Sequence, residues 1–344
     1  MVRVLVAEDS AVTTQYLVHL LSQDPGLHVV GTVRNGQEAV AQAERLRPDV
    51  ILMDIHMPVM NGYEATRRIM ERVPTPIVMI STSLARREVA MAFEALKAGA
   101  VTVLDKPPGP DHPHRAEAAR QLQETVRLMA EVKVVRRWTR RERVAPGPPA
   151  TPPRAPIRIV AIGASTGGPT VLAEILGALP ADFPVPILVV QHIAPGFTAG
   201  FADWVERETA LRVKLAEPGE PVQPGTVYLA SHGSQMGIGP DGRIRLTWNE
   251  PAETENGFRP SVSSLFHAVA RAFGQAALGI LLTGMGRDGA AGLLALRRAG
   301  GVTIAQDEAS SVVFGMPGEA VRLGAAQYVL APGQIADLLR GLGR

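Results

Sequence analysis

The sequence predicts two α/β domains in series, each a doubly wound parallel sheet wrapped by helices, joined by a Pro/Arg-rich linker. Three observations carry that expectation. Short apolar runs alternate with stretches of helical periodicity in both halves of the chain. The 344 residues exceed what one ordinary hydrophobic core covers. Between the halves lies an arginine cluster followed by A-P-G-P-P-A-T-P-P-R-A-P at 145–156, whose prolines lack N–H donors and favour extended geometry. The expected divisions are 1–130, a linker at 131–155, and 156–344.

In the first domain, near-continuous apolar strands are expected at 2–7, 49–53, 77–80 and 101–104. Helices are expected at 11–21, 36–46, 62–70 and 86–98, with a last one over 116–135 carrying Leu122, Val126 and Met129 along one face. Open parallel sheets gather ligands at the carboxyl ends of their strands. That rule brings Glu8, Asp9, Asp54, Ser81 and Lys106 into one small pocket. Any one acid after a strand reads as a helix N-cap, but five such residues at strand ends point to a site. Clustered carboxylates repel unless a cation neutralises them, and an all-oxygen ligand set suits Mg2+. Asp54 then serves as a nucleophile toward a phosphoryl group. Lys106 pairs with the new charge and Ser81 hydrogen-bonds a phosphoryl oxygen.

The order E-D at 8–9, D-I-H-M-P-V-M-N-G at 54–62, I-S-T at 80–82 and L-D-K-P at 104–107 resembles a response-regulator receiver domain. The resemblance implies a flavodoxin-like fold, Asp54 as phosphoacceptor and a sensor histidine kinase as phosphodonor. It also implies Mg2+ held by Glu8, Asp9, Asp54 and the backbone carbonyl of His56, and a cis Lys106–Pro107 bond. Val103 stands where receivers often carry an aromatic switch residue. His112 and His114, in P-D-H-P-H, read as a surface loop rather than a metal site.

In the second domain, strands are expected at 157–162, 187–190, 227–230, 278–282, 302–305 and 328–330. Helices are expected at 262–273 and 334–342, with others opening after Pro169 and near Asp288. Ser165 sits at the bend of G-A-S-T-G, between a strand and a helix. This pattern has two readings. It exposes a nucleophilic hydroxyl at a strand end, or it cradles a phosphate with Ser165 as one hydrogen-bonding group. His192 and Asp288 also follow strands directly. Singly, His192 reads as a structural hydrogen-bonding residue and Asp288 as a helix cap. Together the three read as a catalytic triad, because serine needs a base and imidazole needs an acid to fix its tautomer. Backbone N–H groups at Thr166 and around Met285 and Gly286 are candidates for stabilising an oxyanion. His232 and His267 receive no catalytic role. The order serine, histidine, acid departs from the lipase-type hydrolases, whose acid precedes the histidine.

The set G-A-S-T-G-G-P, Q-H-I and L-T-G-M-G-R-D-G-A-A-G-L is similar to the chemotaxis protein-glutamate methylesterases, which join a receiver to a methylesterase domain in this order. R-P-S-V-S-S-L-F at 259–266 resembles them too. Y-L-A-S-H-G-S-Q-M at 228–236 departs from their more usual G-D-x-H pattern. The resemblance implies a Rossmann-like second domain and Ser165 attacking glutamate methyl esters on chemoreceptor cytoplasmic helices, releasing methanol without a cofactor. It implies glutamine deamidation through the same acyl intermediate. It also implies a receiver that blocks the active site until Asp54 is phosphorylated.

Composition bounds these readings. The chain has no cysteine, which excludes disulfides and thiolate chemistry. Mean hydropathy is +0.09, and no apolar run is long enough for membrane insertion. The chain opens on a strand-like segment rather than a leader, so a cytoplasmic location is expected. Net charge is +2, with Arg136, Arg137, Arg140, Arg141 and Arg143 concentrated beside the prolines. That cluster reads as a solvated linker rather than a nucleic-acid contact. Two alternatives are a receiver coupled to a DNA-binding output and a receiver coupled to a noncatalytic ligand-binding module. The first requires a helix-turn-helix after the linker.

Overall fold

The computed structural model describes residues 1–81, 86–109, 111–113, 115–132, 156–194, 196–248 and 258–343. The chain divides into two compact units, Met1–Val144 and Ala145–Arg344. Most of the expected linker, from 133 to 155, lies outside the described residues, as does His114.

The first unit alternates strand and helix: β1 (Val2–Ala7), α1 (Ala11–Ser22), β2 (Leu27–Val33), α2 (Gly36–Leu46), β3 (Val50–Asp54), α3 (Gly62–Arg72), β4 (Ile77–Ser81), α4 (Arg86–Ala98), β5 (Thr102–Asp105) and α5 (Arg115–Ala130). The sheet runs β2-β1-β3-β4-β5, with every pair parallel. β1, β3 and β4 are apolar almost throughout because helices cover both faces, and Leu5, Ile51 and Leu52 are fully buried. Each such side chain contributes about 1.5–3 kcal/mol. Ser10, Asn35 and Asn61 open α1, α2 and α3 by accepting the backbone N–H three residues on. Successive connections leave β1 and β3 in opposite directions, so the crevice between their carboxyl ends is the switch point of the sheet.

Three features differ from expectation. β2 was not anticipated: it is an edge strand broken by His28, Gly31 and Thr32, with a register shift between Val4 and Leu5 of its neighbour. α5 ends at Ala130, and the N–H groups of Glu131 and Val132 bond back to Leu128 O and Met129 O in a closing turn. Arg259–Pro260 is the cis peptide among the described residues, so Lys106–Pro107 is trans and corrects the expected cis bond. Trans is the lower-energy form of an X–Pro bond by about 0.5–1 kcal/mol, and Lys106 N–H already bonds Ser81 O at 2.9 Å without the rarer isomer.

The second unit is built from β6 (Ile159–Ala164), α6 (Gly168–Gly177), β7 (Ile187–Gln191), α7 (Thr198–Glu208), β8 (Arg212–Leu215), β9 (Thr226–Leu229), β10 (Gln235–Ile238), β11 (Ile244–Thr247), α8 (Val262–Phe273), β12 (Ala277–Leu281), α9 (Ala290–Arg298), β13 (Val302–Gln306), α10 (Met316–Arg322), β14 (Tyr328–Leu330) and α11 (Pro332–Arg340). Seven strands form one sheet in the order β14-β13-β12-β6-β7-β9-β8, all parallel. β10 and β11 form a separate antiparallel hairpin. β8, β10 and β11 were not expected, because R-V-K-L, Q-M-G-I and I-R-L-T are short runs broken by polar residues or glycine rather than continuous apolar ones. β6 starts two residues later than expected and continues through Ala164, which pairs with Gln191.

The chain leaves β6 toward β7 and returns on the other side through β12. The switch point therefore lies between β6 and β12. Gly163 lets α8 pack directly on this point, because a Cβ there would fall 2.0 Å from Val262 Cγ1. That close approach brings the N-terminus of α8 to the sheet's carboxyl edge.

Candidate active site and acidic pocket

In the first unit, Glu8, Asp54 and Ser81 are buried at the switch point, and Asp9 is exposed beside them. Carboxylate oxygens of Glu8, Asp9 and Asp54 lie within 4.8 Å of one another. Lys106 Nζ reaches Glu8 Oε2 at 2.7 Å and Asp54 Oδ2 at 2.9 Å. Burial raises the Asp54 carboxyl above its usual range, against the pull of Lys106 and the hydrogen bond from the His56 amide. Burial also raises Glu8, with Lys106 opposing and the Asp54 charge reinforcing the shift. Burial works against the Lys106 charge, but the two carboxylates raise its pKa. The buried Glu8 Oε2 has the Lys106 ammonium as its close partner. One ammonium among three carboxylates leaves excess negative charge and oxygen donors, which fits a small hard cation. Glu8, Asp9, Asp54 and Lys106 thus meet, Ser81 is buried at the end of the next strand with its backbone O accepting Lys106 N–H at 2.9 Å, and the His56 amide bonds Asp54 while the His56 ring is exposed.

In the second unit, parallel register sets the first two residues of the site. Ala164 pairs with Gln191 and His192 N–H bonds Ala164 O at 2.9 Å, so Ser165 and His192 leave neighbouring strands side by side. From the other flank, Ser165 N–H bonds Thr283 O at 3.0 Å. Gly284 packs against the serine so closely that a Cβ there would lie 2.7 Å from Ser165 Cβ.

His192 Nε2 lies 3.0 Å from Asp288 Oδ2. Asp288 is buried and accepts from four further donors: Ser261 Oγ at 2.9 Å, Val262 N at 2.8 Å, Ser263 N at 3.1 Å and Gly289 N at 2.9 Å. Burial alone raises this carboxyl, yet His192 and the α8 amides outweigh it and hold the pKa at about 2. The helix-cap reading of Asp288 therefore applies to a different helix from the one expected. Its carboxylate faces the N-terminus of α8, where amides and dipole favour an anion, while α9 begins after Gly289.

Ser165 Oγ makes no hydrogen bond to His192 among the described residues. The structure thus joins His192 to Asp288 and brings Ser165 to the adjoining strand end. Such contacts are often loose before substrate binds. The N–H groups of Thr166, Met285 and Gly286 have no protein partner among the described residues, whereas Thr166 O accepts from Thr283 Oγ1 at 3.0 Å. His232 is exposed in a loop and His267 lies on α8.

Sequence reasoning missed three neighbours. Gln191 Nε2 donates to both Ser165 O and His192 O at 2.8 Å, tying the two residues together through their backbones. Ser261 caps α8 and supports Asp288. Phe258 stacks on the His192 ring. Gln191 and Ser261 stand inside the motifs Q-H-I and R-P-S-V-S-S-L-F, and Phe258 directly precedes the second, which was the signal for them.

An acidic pocket of receiver type is thus followed by an α/β unit that gathers a serine, a histidine and an aspartate, the residue types of a serine hydrolase, at its switch point. The family description "CheB methylesterase" matches residues 160–339, and "Response regulator receiver domain" matches residues 4–116; the chain belongs to the CheB methylesterase family, with an N-terminal receiver domain. Protein-glutamate methylesterase/protein-glutamine glutaminase 4 of Geobacter metallireducens is 51% identical over 99% of both chains. The protein-glutamate methylesterase/protein-glutamine glutaminase of Nitrosospira multiformis is 50% identical over 99% of this chain and 97% of its own. The crystal structure of the Thermotoga maritima CheB methylesterase catalytic domain covers 55% of this chain and 100% of its own, with 39% identity and a TM-score of 0.51. No helix among the described residues is long and apolar enough to cross a membrane.

Proposed function

We propose that the chain hydrolyses glutamate methyl esters on chemoreceptor cytoplasmic helices and deamidates glutamines there, under the control of phosphorylation at Asp54. The observation that carries the reading is the His192–Asp288 pair at 3.0 Å, one strand from Ser165. With Nε2 committed to Asp288, Nδ1 is the imidazole nitrogen that takes the serine proton. Ser165 Oγ then attacks the ester carbonyl, and the oxyanion lies against the free N–H groups of Thr166, Met285 and Gly286. His192 returns the proton to the leaving methoxide, methanol departs, and water hydrolyses the glutamyl-serine ester by the same exchange in reverse. Glutamine enters the same cycle with ammonia as the leaving group. No cofactor takes part in this hydrolysis.

In the receiver, Glu8, Asp9, Asp54 and the His56 carbonyl would hold Mg2+, which would supply positive charge to a phosphoryl group there. Asp54 accepts the phosphoryl group from a sensor histidine kinase, Lys106 pairs with the product and Ser81 hydrogen-bonds it. Both the kinase and the receptor helices are partners in the cytoplasm. The DNA-binding alternative finds no support, because the second unit is a parallel sheet with a serine centre and its relatives carry esterase names.

The test is methanol release from methylated receptor with and without a small-molecule phosphodonor and Mg2+. The wild-type rate is expected to rise with phosphodonor, and the Asp54→Ala rate to stay flat. Equal responses of the two would remove Asp54 from the account. Separately, free Mg2+ at ten times its Kd should stabilise the receiver by ~1.4 kcal/mol, read as a rise of several degrees in its thermal transition. Asp9→Ala should abolish that rise, and a rise retained in the variant would move the cation elsewhere.

A further inference from the structure

The imidazole of a triad needs a fixed plane as well as a fixed tautomer. Asp288 holds His192 at one atom, Nε2, and a ring pinned at one atom still rocks about that contact. Phe258 supplies the second constraint. The two ring centroids lie 4.4 Å apart with 14° between the planes, while Phe258 remains 43% exposed. An exposed phenylalanine gains little from burial at such a site, so what holds it there matters. Gln235 on β10 donates from Nε2 to Phe258 O at 2.7 Å, and its Oε1 accepts Ser261 N–H at 2.8 Å. Ser261 Oγ in turn donates to Asp288 Oδ1. A single amide on the hairpin therefore buckles down the segment that carries both the ring over the base and the support for the acid.

We propose that Phe258 is a positioning residue for His192, and that Gln235 sets it in place. The aromatic face confines the imidazole to the plane from which Nδ1 reaches Ser165, keeps water off that face, and favours the imidazolium formed when the serine proton arrives. This gives the β10–β11 hairpin, which stands outside the main sheet, a role in turnover. The proposal rests on the hydrolytic reading of the Ser165 centre.

The experiment measures kcat and KM for methanol release by the full chain with phosphodonor and Mg2+, beside thermal unfolding of each variant. Phe258→Leu, which keeps an apolar side chain but loses the ring, is expected to lower kcat about tenfold, the rate equivalent of one stacked aromatic pair, with KM unchanged. Phe258→Tyr should stay within about twofold of wild type, and Gln235→Leu should resemble Phe258→Leu. Phe258→Met repeats the measurement if the leucine variant melts early. A Phe258→Leu kcat within about twofold of wild type overturns the proposal, as does an equal loss in Phe258→Tyr. An effect confined to KM overturns it as well, by making the ring a substrate contact. An inactive wild type defeats the hydrolytic reading itself, whereas an active wild type beside a fully active Phe258→Leu defeats this inference alone.

Discussion

Ser165→Ala is expected to lower kcat for methanol release about 10⁵–10⁶-fold, the loss found when a triad nucleophile is removed. The structure makes this a clean substitution. Ser165 Oγ has no hydrogen bond to lose among the described residues, and alanine keeps the Cβ that packs against Gly284. The backbone bonds of Ser165 to Thr283, Gly168 and Gln191 are untouched. Thermal unfolding should therefore match the wild type, and binding of methylated receptor should persist. Residual turnover above the uncatalysed rate should also remain, since the Thr166, Met285 and Gly286 amides are still in place. The result separates hydrolysis from the remaining alternative of a ligand-binding module whose glycine turn holds a phosphorylated molecule. A Ser165→Ala enzyme with full methanol release would favour that module and end the triad account.

How much of this was legible in the sequence follows from where each signal resides. β1, β3, β4, β6, β7 and β12 are buried on both faces and spell themselves as continuous apolar runs, so they could be read directly. Once those runs are taken as parallel strands, the residues just past them must share an edge. That rule alone assembled Glu8, Asp9, Asp54, Ser81 and Lys106, and aligned Ser165, His192 and Asp288. Edge strands and short strands escaped because their environment is one-sided. β2 carries His28 and Thr32, and β8 is R-V-K-L with an exposed arginine. The hairpin and the side chains it organises escaped for a different reason. Gln235 and Ser261 matter through hydrogen bonds across 23 to 27 residues, and Phe258 through its stack on the distant His192, none of which a local pattern encodes. Asp288 is the instructive intermediate. Its place after a strand was visible, but the helix it caps lies 26 residues earlier in the chain, and only packing through Gly163 brings that helix near.

Asp288→Asn tests the most heavily supported side chain in the site, and kcat should fall about 10⁴-fold. The cause is geometric as well as electrostatic. Oδ1 accepts from Ser261 Oγ, Ser263 N and Gly289 N, and Oδ2 accepts from Val262 N and His192 Nε2. An amide nitrogen in the Oδ2 position meets the Val262 N–H and turns His192 to the Nδ1–H tautomer, which cannot accept the serine proton. In the Oδ1 position it faces the Ser263 and Gly289 amides instead. Either orientation leaves buried donors opposed, at a stability cost of about 1–3 kcal/mol. The pH dependence has a definite sign. The folded carboxyl sits at about 2 against an ordinary 3.8, so its stabilising contribution is fully present above pH ~4 and is lost as pH falls through the folded value. In the Asn variant this acid-side loss should vanish from the unfolding profile of the second unit, while the kcat deficit persists at every assay pH. A kcat deficit below about tenfold would leave His192 independent of its carboxylate partner and reduce the five hydrogen bonds at Asp288 to a fold-stabilising role.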